Sequence, residues 1–290
     1  MKWNRLVIVL ALSLILILGS STIAAAKPPG AEPTATLLVT GLEELQGSAV
    51  GPGGDLFVTA PLTGSIWRVD PKTGAVTLFA SGLPARIPDF FFIGSGVVDV
   101  AFHGGTAYAL VTGVGPDLDP GQDDIVGIYR VDDQDSFTIV ADIGDWSIEN
   151  PPATDFFVPS GFQYAIEPFR GGFLVTDGHH NRVLRVTLDG EITEVIAFGN
   201  VVPTGLALRG NTVYVAQAGP IPHLPEDGKV VSFTLKSLGV ERRAGQKKVL
   251  MFFVHGSRGS KGPVSEGGAN GCWEYRNWMS QSLYTLSCSM

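Results

Sequence analysis

One repeated phrase limits what this chain can fold into. Residues 171–190 read GGFLVTDGHHNRVLRVTLDG: an apolar triplet, a Thr, a polar turn, an Arg-Val strand and an Asp-Gly pair. Asp177, Gly178 and Asn181 supply the turn, because Gly accepts positive φ and Asx side chains bond their own backbone. Asp189-Gly190 is a strong two-residue hairpin signal. The same order recurs as DLFVTAPLTGSIWRVDPKTG at 55–74, as TAYALVTG with GIYRVDD at 106–113 and 127–133, and as NTVYVAQAG with GKVVSFT at 211–219 and 228–234. Short strands repeated at this spacing predict the blades of an all-β propeller.

The flanks set the context. Lys2 and Arg5 precede an apolar run, Leu6 to Leu18, and Ala24-Ala25-Ala26 form a small-residue site. This predicts a signal peptide over 1–26, cleaved after Ala26, and an exported (secreted, extracellular or periplasmic) protein. The competing reading is an uncleaved anchor, although the run is shorter than the roughly 20 residues a span needs. A Pro-rich lead-in, 27–34, follows, and no later stretch is apolar enough to span a bilayer.

Between Lys27 and Val240 there are 11 basic and 25 acidic side chains, a net of −14. Such a surface repels nucleic acid and anionic lipid, which excludes both as partners. No Cys precedes Cys272, so the repeats are not a disulfide scaffold. A monomer is expected.

Blades are assigned to 35–240. TLLVTGL at 36–42 is a candidate strand for closing the ring, GSAVGPGGDLFVTA holds the innermost strand of the first blade, and Arg68 is expected as a solvated outer-strand charge. The insertion GVGPDLDPGQDD places Asp117, Asp119, Asp123 and Asp124 together, but without the Gly and closing Glu of an EF-hand; a solvated acidic loop is the simpler account. Residues 145–169 carry Asn150-Pro151-Pro152 and Pro159-Ser160-Gly161, marking irregular backbone. A connection this long suits a lid or cleft wall.

Beyond Val240 the text changes. Residues 241–290 hold seven basic and three acidic side chains, no Asp, and both Cys. A shifted reading frame or foreign segment, and a genuine basic extension with a Cys272–Cys288 disulfide, both remain open.

VTDGHHNRVLRV resembles the NHL-repeat phrase. GPGGDLFVT with GSIWRVDPKTG resembles NHL and SMP-30/gluconolactonase-like six-bladed propellers. Together with the signal peptide, VVDVAFHGGTAYAL, SGFQYAIEPFRGG and PTGLALRGNTVYVAQAG, the set is most similar to the secreted ScyD/ScyE family, associated with scytonemin biosynthesis. The resemblance covers residues 36–234 and implies a six-bladed ring with blades beyond those legible here. It does not imply a defined activity.

No hydrolase, P-loop or metalloprotease signature appears. Asp177, His179, His180 and Asn181 cluster at one blade turn, and His223 and Glu226 sit on the corresponding loop of the next. If these loops share a face, Asp99, His180, His223 and Glu226 are candidate ligands for calcium or zinc. The alternative is a hydrogen-bonded turn that knits blades together. Asp99 is expected to face the channel, since a buried carboxylate without a partner is costly. Phe90, Phe91, Phe92, Phe156, Phe157 and Phe162 lie between blades, for recognition of a flat ligand or for packing. The expected function is a binding or scaffold module for a small molecule, glycan or protein. The alternative is a metal-dependent hydrolase or lyase of the SMP-30-like kind, with Asp99, His180 and His223 as ligands.

Overall fold

A computed structural model describes residues 35–87 and 94–235, and the backbone of two short strands near the C-terminus. The signal peptide, the lead-in, Phe90–Phe92 and nearly all of 241–290, including both Cys, lie outside the described residues. Two compact units divide the chain. Met1–Leu37 contributes Ala35–Leu37 to the description, outside any strand, and every blade belongs to Leu38–Met290.

Alternating apolar residues and Gly-containing turns fold 48–234 into successive antiparallel meanders. The first blade is β1 (Ser48–Val50), β2 (Leu56–Ala60), β3 (Ser65–Val69) and β4 (Val76–Ser81). The second is β5 (Gly96–His103), β6 (Thr106–Thr112), β7 (Gly127–Asp133) and β8 (Ser136–Asp142). The third is β9 (Gln163–Pro168), β10 (Gly172–Asp177), β11 (Arg182–Thr187) and β12 (Ile192–Ala197). The fourth has three strands, β13 (Pro203–Arg209), β14 (Thr212–Gln217) and β15 (Lys229–Thr234). A separate ribbon pairs β16 (Tyr275–Asn277) with β17 (Ser282–Tyr284). Each blade's first strand packs on the first two strands of the blade before it: β5 on β1 and β2, β9 on β5 and β6, β13 on β9 and β10. Among the described residues this is a propeller arrangement of four blades.

Three apolar cores fill the seams between blades. Phe57 and Ile66 meet Val100, Phe102 and Val111 in the first. Leu110 and Ile128 meet Ile166, Phe173 and Leu184 in the second, and Leu174 and Val183 meet Leu206, Val213 and Val215 in the third. Each such side chain contributes about 1.5–3 kcal/mol on burial, so the cores supply the bulk of the blade-to-blade adhesion.

Buried hydroxyls add direction to that adhesion. The Thr of the repeated phrase is Thr59, Thr112 and Thr176, each fully buried. Thr59 donates to Val98 O at 3.2 Å, Thr112 donates to Gln163 Oε1 at 2.7 Å, and Thr176 donates to Thr204 O at 3.3 Å. Every acceptor lies on the first strand of the following blade or its bulge. The pairing skips Val98, Tyr164 and Thr204 in β5, β9 and β13. A bulged residue is left out of the ladder, and the carbonyls of Val98 and Thr204 take a Thr hydroxyl instead. In the fourth blade the equivalent residue is Ala216, which has no hydroxyl to give.

Two expectations change. Residues 36–42 form no strand. The connection after β8 is not irregular throughout: it opens with a helix, α1 (Ile143–Glu149), capped where Asp142 Oδ1 accepts from Asp145 N at 2.8 Å. Side-chain capping of this kind favours a helix start.

Strand alternation sends successive connections to opposite ends of the blades. One end carries tight turns such as Gly104-Gly105 and Gly210-Asn211. The other carries 61–64, 82–87, 94–95, 113–126, 143–162, 178–181, 198–202 and 218–228. The long connections therefore share one face, called here the loop face. Long loops on a rigid scaffold are where binding and catalysis concentrate.

Candidate functional site on the loop face

The turn between β10 and β11 divides its side chains between two tasks. Asp177, His180, Asn181 and Arg182 hold the neighbouring loops. Arg182 is fully buried, its Nε donating to Asp177 Oδ2 at 2.8 Å, Nη1 to Asn150 O at 2.7 Å and Nη2 to Ser147 Oγ at 3.1 Å. Its guanidinium lies 4.8 Å from the Trp146 ring centroid, a cation–π distance. Arg182 thus grips α1 and the chain just after it. Asp177 Oδ1 also accepts from Gln163 Nε2 at 3.0 Å.

His180 Nε2 stands 3.0 Å from Val158 O, and Nδ1 stands 3.2 Å from both Arg182 Nη2 and Asp177 Oδ2. A carbonyl only accepts and a guanidinium only donates. The tautomer with its hydrogen on Nε2 satisfies both, so His180 ties Val158 to Arg182. Asn181, at φ 59°, gives Nδ2 to Thr154 Oγ1 at 2.9 Å, while its Oδ1 accepts from Val201 N and Val202 N. The 143–162 loop is held at Ser147, Asn150, Thr154 and Val158 by three consecutive residues.

His179 faces the other way. Its Nε2 pairs with the Tyr164 hydroxyl at 2.9 Å. The rings of Phe157, Phe162 and Tyr164 surround it at 4.9, 5.2 and 5.9 Å, and the His223 ring lies 6.4 Å away. Burial holds the His179 imidazole down to about 4, with nearby His223 and His180 pushing the same way against Asp177. Burial pushes the Tyr164 phenol up. Tyr164 is the bulged residue of β9, re-aimed by the bulge across the turn. A Cβ on Gly178 would sit 2.3 Å from its ring, so that glycine makes room for it. Phe157 is 49% exposed and Phe156 40% exposed. With Ile221 and Leu224, also exposed, they leave aromatic and aliphatic surface open on this face. Phe162 is buried.

His223, at φ 63°, is placed by a bond between its Nδ1 and Gly219 O at 2.9 Å. Asp99 lies among the first strands, as a channel-facing residue would, yet is only 5% exposed. Its Oδ2 accepts from Ile166 N at 3.0 Å, linking the second blade to the third. Glu226 is exposed in a short turn, Pro225–Asp227. Asp99, His180, His223 and Glu226 are therefore not gathered. Among the described residues no three His, Cys, Asp or Glu side chains converge as an ion requires. His180 spends both nitrogens within the fold, so these residues do not fit the calcium or zinc set expected from the sequence. In the acidic insertion, Asp117 Oδ2 accepts from Ser160 Oγ at 2.7 Å and so serves the same loop.

Tyr164 is the site residue the sequence reading passed over. Its signal was its place at the start of a first strand, in the position Val98 and Thr204 occupy in their blades.

No family model and no curated protein matches the sequence. Among solved structures the chain is similar to a streptogramin B lyase (17% identity, 66% of this chain, 55% of that one, TM-score 0.40). It is similar also to a luciferin-regenerating enzyme (15% identity, 69% and 64%, TM-score 0.45). A third likeness is to a candidate gluconolactonase (13% identity, 66% and 63%, TM-score 0.40). The chain spans little more than half the length of the streptogramin B lyase. Nothing about activity follows from likeness at this level.

Proposed function

We propose that this is an exported binding module, a six-bladed-type propeller of the ScyD/ScyE kind, that captures a flat, apolar small molecule on its loop face. One observation carries the reading. Half-exposed Phe157 stands edge-on to buried His179, at the rim of a site walled by Phe162, Tyr164 and His223. Aromatic surface that remains open, backed by a few fixed polar groups, is the composition of a small-molecule site. The polar residues beside it support binding rather than chemistry, because Asp177, His180 and Arg182 are consumed in positioning the 143–162 loop. Localisation outside the cytoplasm rests on the sequence features of residues 1–26.

The test is binding of a naphthalene probe, followed by its fluorescence, to the full chain and to Phe157→Ser. Saturable binding weakened about tenfold or more by the substitution, at unchanged melting temperature, is expected, since losing an aromatic contact of this size costs over 1 kcal/mol. Equal binding by both proteins would refute the assignment. Elemental analysis after purification without added metal separates this reading from the hydrolase or lyase alternative. A stoichiometric ion lost in His180→Ala would favour the alternative.

A further inference from the structure

Gln217 ends β14 on the loop face and is 4% exposed, yet its Nε2 has no hydrogen-bond partner. It shares a sheet face with Val213 and Val215, which pack against Leu174 and Val183 of the third blade. Its side chain therefore enters the seam between the third and fourth blades. That seam is roofed by the site. Pro203, the register partner of Gln217, brings its carbonyl within 3.0 Å of where a Cβ on Gly178 would stand, next to His179. On the other side, Gly219, two residues on, holds His223 through Nδ1.

The equivalent positions in the other blades show the anomaly. They are Ala60, Gly113 and Asp177. The first two make no polar demand, and Asp177 is satisfied by Gln163 and Arg182. A buried amide left unmatched opposes folding, and placing one beside an aromatic-walled site gives it a purpose when a ligand supplies the acceptor. The acceptor this seam suits is neutral. Arg182 is already committed to Asp177, Asn150 and Ser147, and the His179 imidazole is held down by burial, so neither offers a charge to offset burial of a carboxylate.

We infer that Gln217 reads a neutral carbonyl oxygen on a planar aromatic ligand, its Nε2 donating to that oxygen while the ring lies against Phe157. The inference rests on the flat-ligand reading above and narrows its substrate class to neutral aryl ketones, aldehydes and amides.

The experiment compares 2-acetylnaphthalene, 2-ethylnaphthalene and 2-naphthoic acid as probes on the full chain and on Gln217→Leu. The native protein is expected to prefer 2-acetylnaphthalene over 2-ethylnaphthalene about tenfold, the worth of one buried hydrogen bond. Gln217→Leu should erase that preference while 2-ethylnaphthalene binds as before. Its melting temperature should hold or rise, since an unmatched amide has been replaced by an apolar side chain. If both naphthalenes bind equally to the native protein, the flat-ligand reading stands and the role of Gln217 falls. Tightest binding of 2-naphthoic acid would overturn the neutral assignment. A lowered melting temperature with the ketone preference intact would make Gln217 a structural residue bound to a buried water. If none of the three binds, both readings fail together.

Discussion

Arg182 makes the most demanding prediction. Arg182→Met removes a buried guanidinium that meets Asp177, Asn150, Ser147 and His180 and covers the Trp146 ring. Asp177 would stay buried, with Gln163 Nε2 as its remaining fixed donor on Oδ1. Breaking a buried pair from one side typically costs about 3–5 kcal/mol, a large part of the roughly 5–15 kcal/mol by which domains are stable. Arg182→Lys restores the charge but not the fork. One ammonium cannot reach acceptors spread around a planar group, so losing the bonds to Asn150 and Ser147 should still cost about 2–3 kcal/mol. Urea denaturation measures the total, and amide exchange over 147–158 measures where it falls. Exchange there should quicken more than in β10 or β6, because the loop loses its grip while the blade cores persist. Combining Arg182→Met with Asp177→Leu should cost less than the sum of the single changes, since no charge is then stranded. If Arg182→Met lies within about 1 kcal/mol of the native protein and exchange over 147–158 is unchanged, Arg182 is not the anchor of that loop.

Further outcomes follow from the same geometry. Thr112→Val keeps the shape of a buried side chain but strands Gln163, and should lower stability by about 1–3 kcal/mol, whereas Ala216→Ser should change it little; equal effects in denaturation would contradict the directional hydroxyl coupling. The His179 imidazole is held down to about 4 in the folded chain against about 6.5 unfolded. Between those values the unfolded state binds the extra proton. The stability due to neutral His179, about 3 kcal/mol, is thus complete above pH 6.5 and lost as pH falls to 4. Burial pushes the Asp124 and Asp142 carboxyls up, which acts with the opposite sign. The telling quantity is therefore the native protein minus His179→Phe in melts from pH 7 to 4. A difference that stays flat with pH would sink the assignment.

Much of the fold was legible because it is carried by local signals. Apolar triplets, Gly turns and Arg-Val strands recur, and the structure sets strands where those phrases lie, from β2 to β15. Helix α1 was not legible, since Asn150-Pro151-Pro152 dominated the reading and the cap at Asp142 lay just upstream. The residues 36–42 read as a strand from composition alone, yet they sit where the chain makes no ladder. At the candidate site, the sequence drew attention to the 178–181 turn and left open whether its side chains knit blades together or hold a ligand. Two adjacent histidines look alike in a string. Their opposite destinations, His180 to Val158 and His179 to Tyr164, depend on the Arg182 fork and on a bulge in β9, both products of non-local pairing. The Thr of each phrase was visible as a repeat, but its acceptor belongs to the next blade, 39 residues away for Thr59 and 51 for Thr112.

The division of connections between the two ends of the blades has a consequence for how such a protein can change. Tight turns at one end are spliced into hydrogen-bonded registers, where adding a residue would flip every side chain of the following strand to the opposite face. Connections at the other end vary from the short 178–181 turn to the long 143–162 loop without altering any register. New recognition properties can therefore be tried at one end only, at little risk to the scaffold. The 178–181 turn is the exception there, since altering it would release three neighbours at once. It is the place on that face where drift in sequence should be slowest.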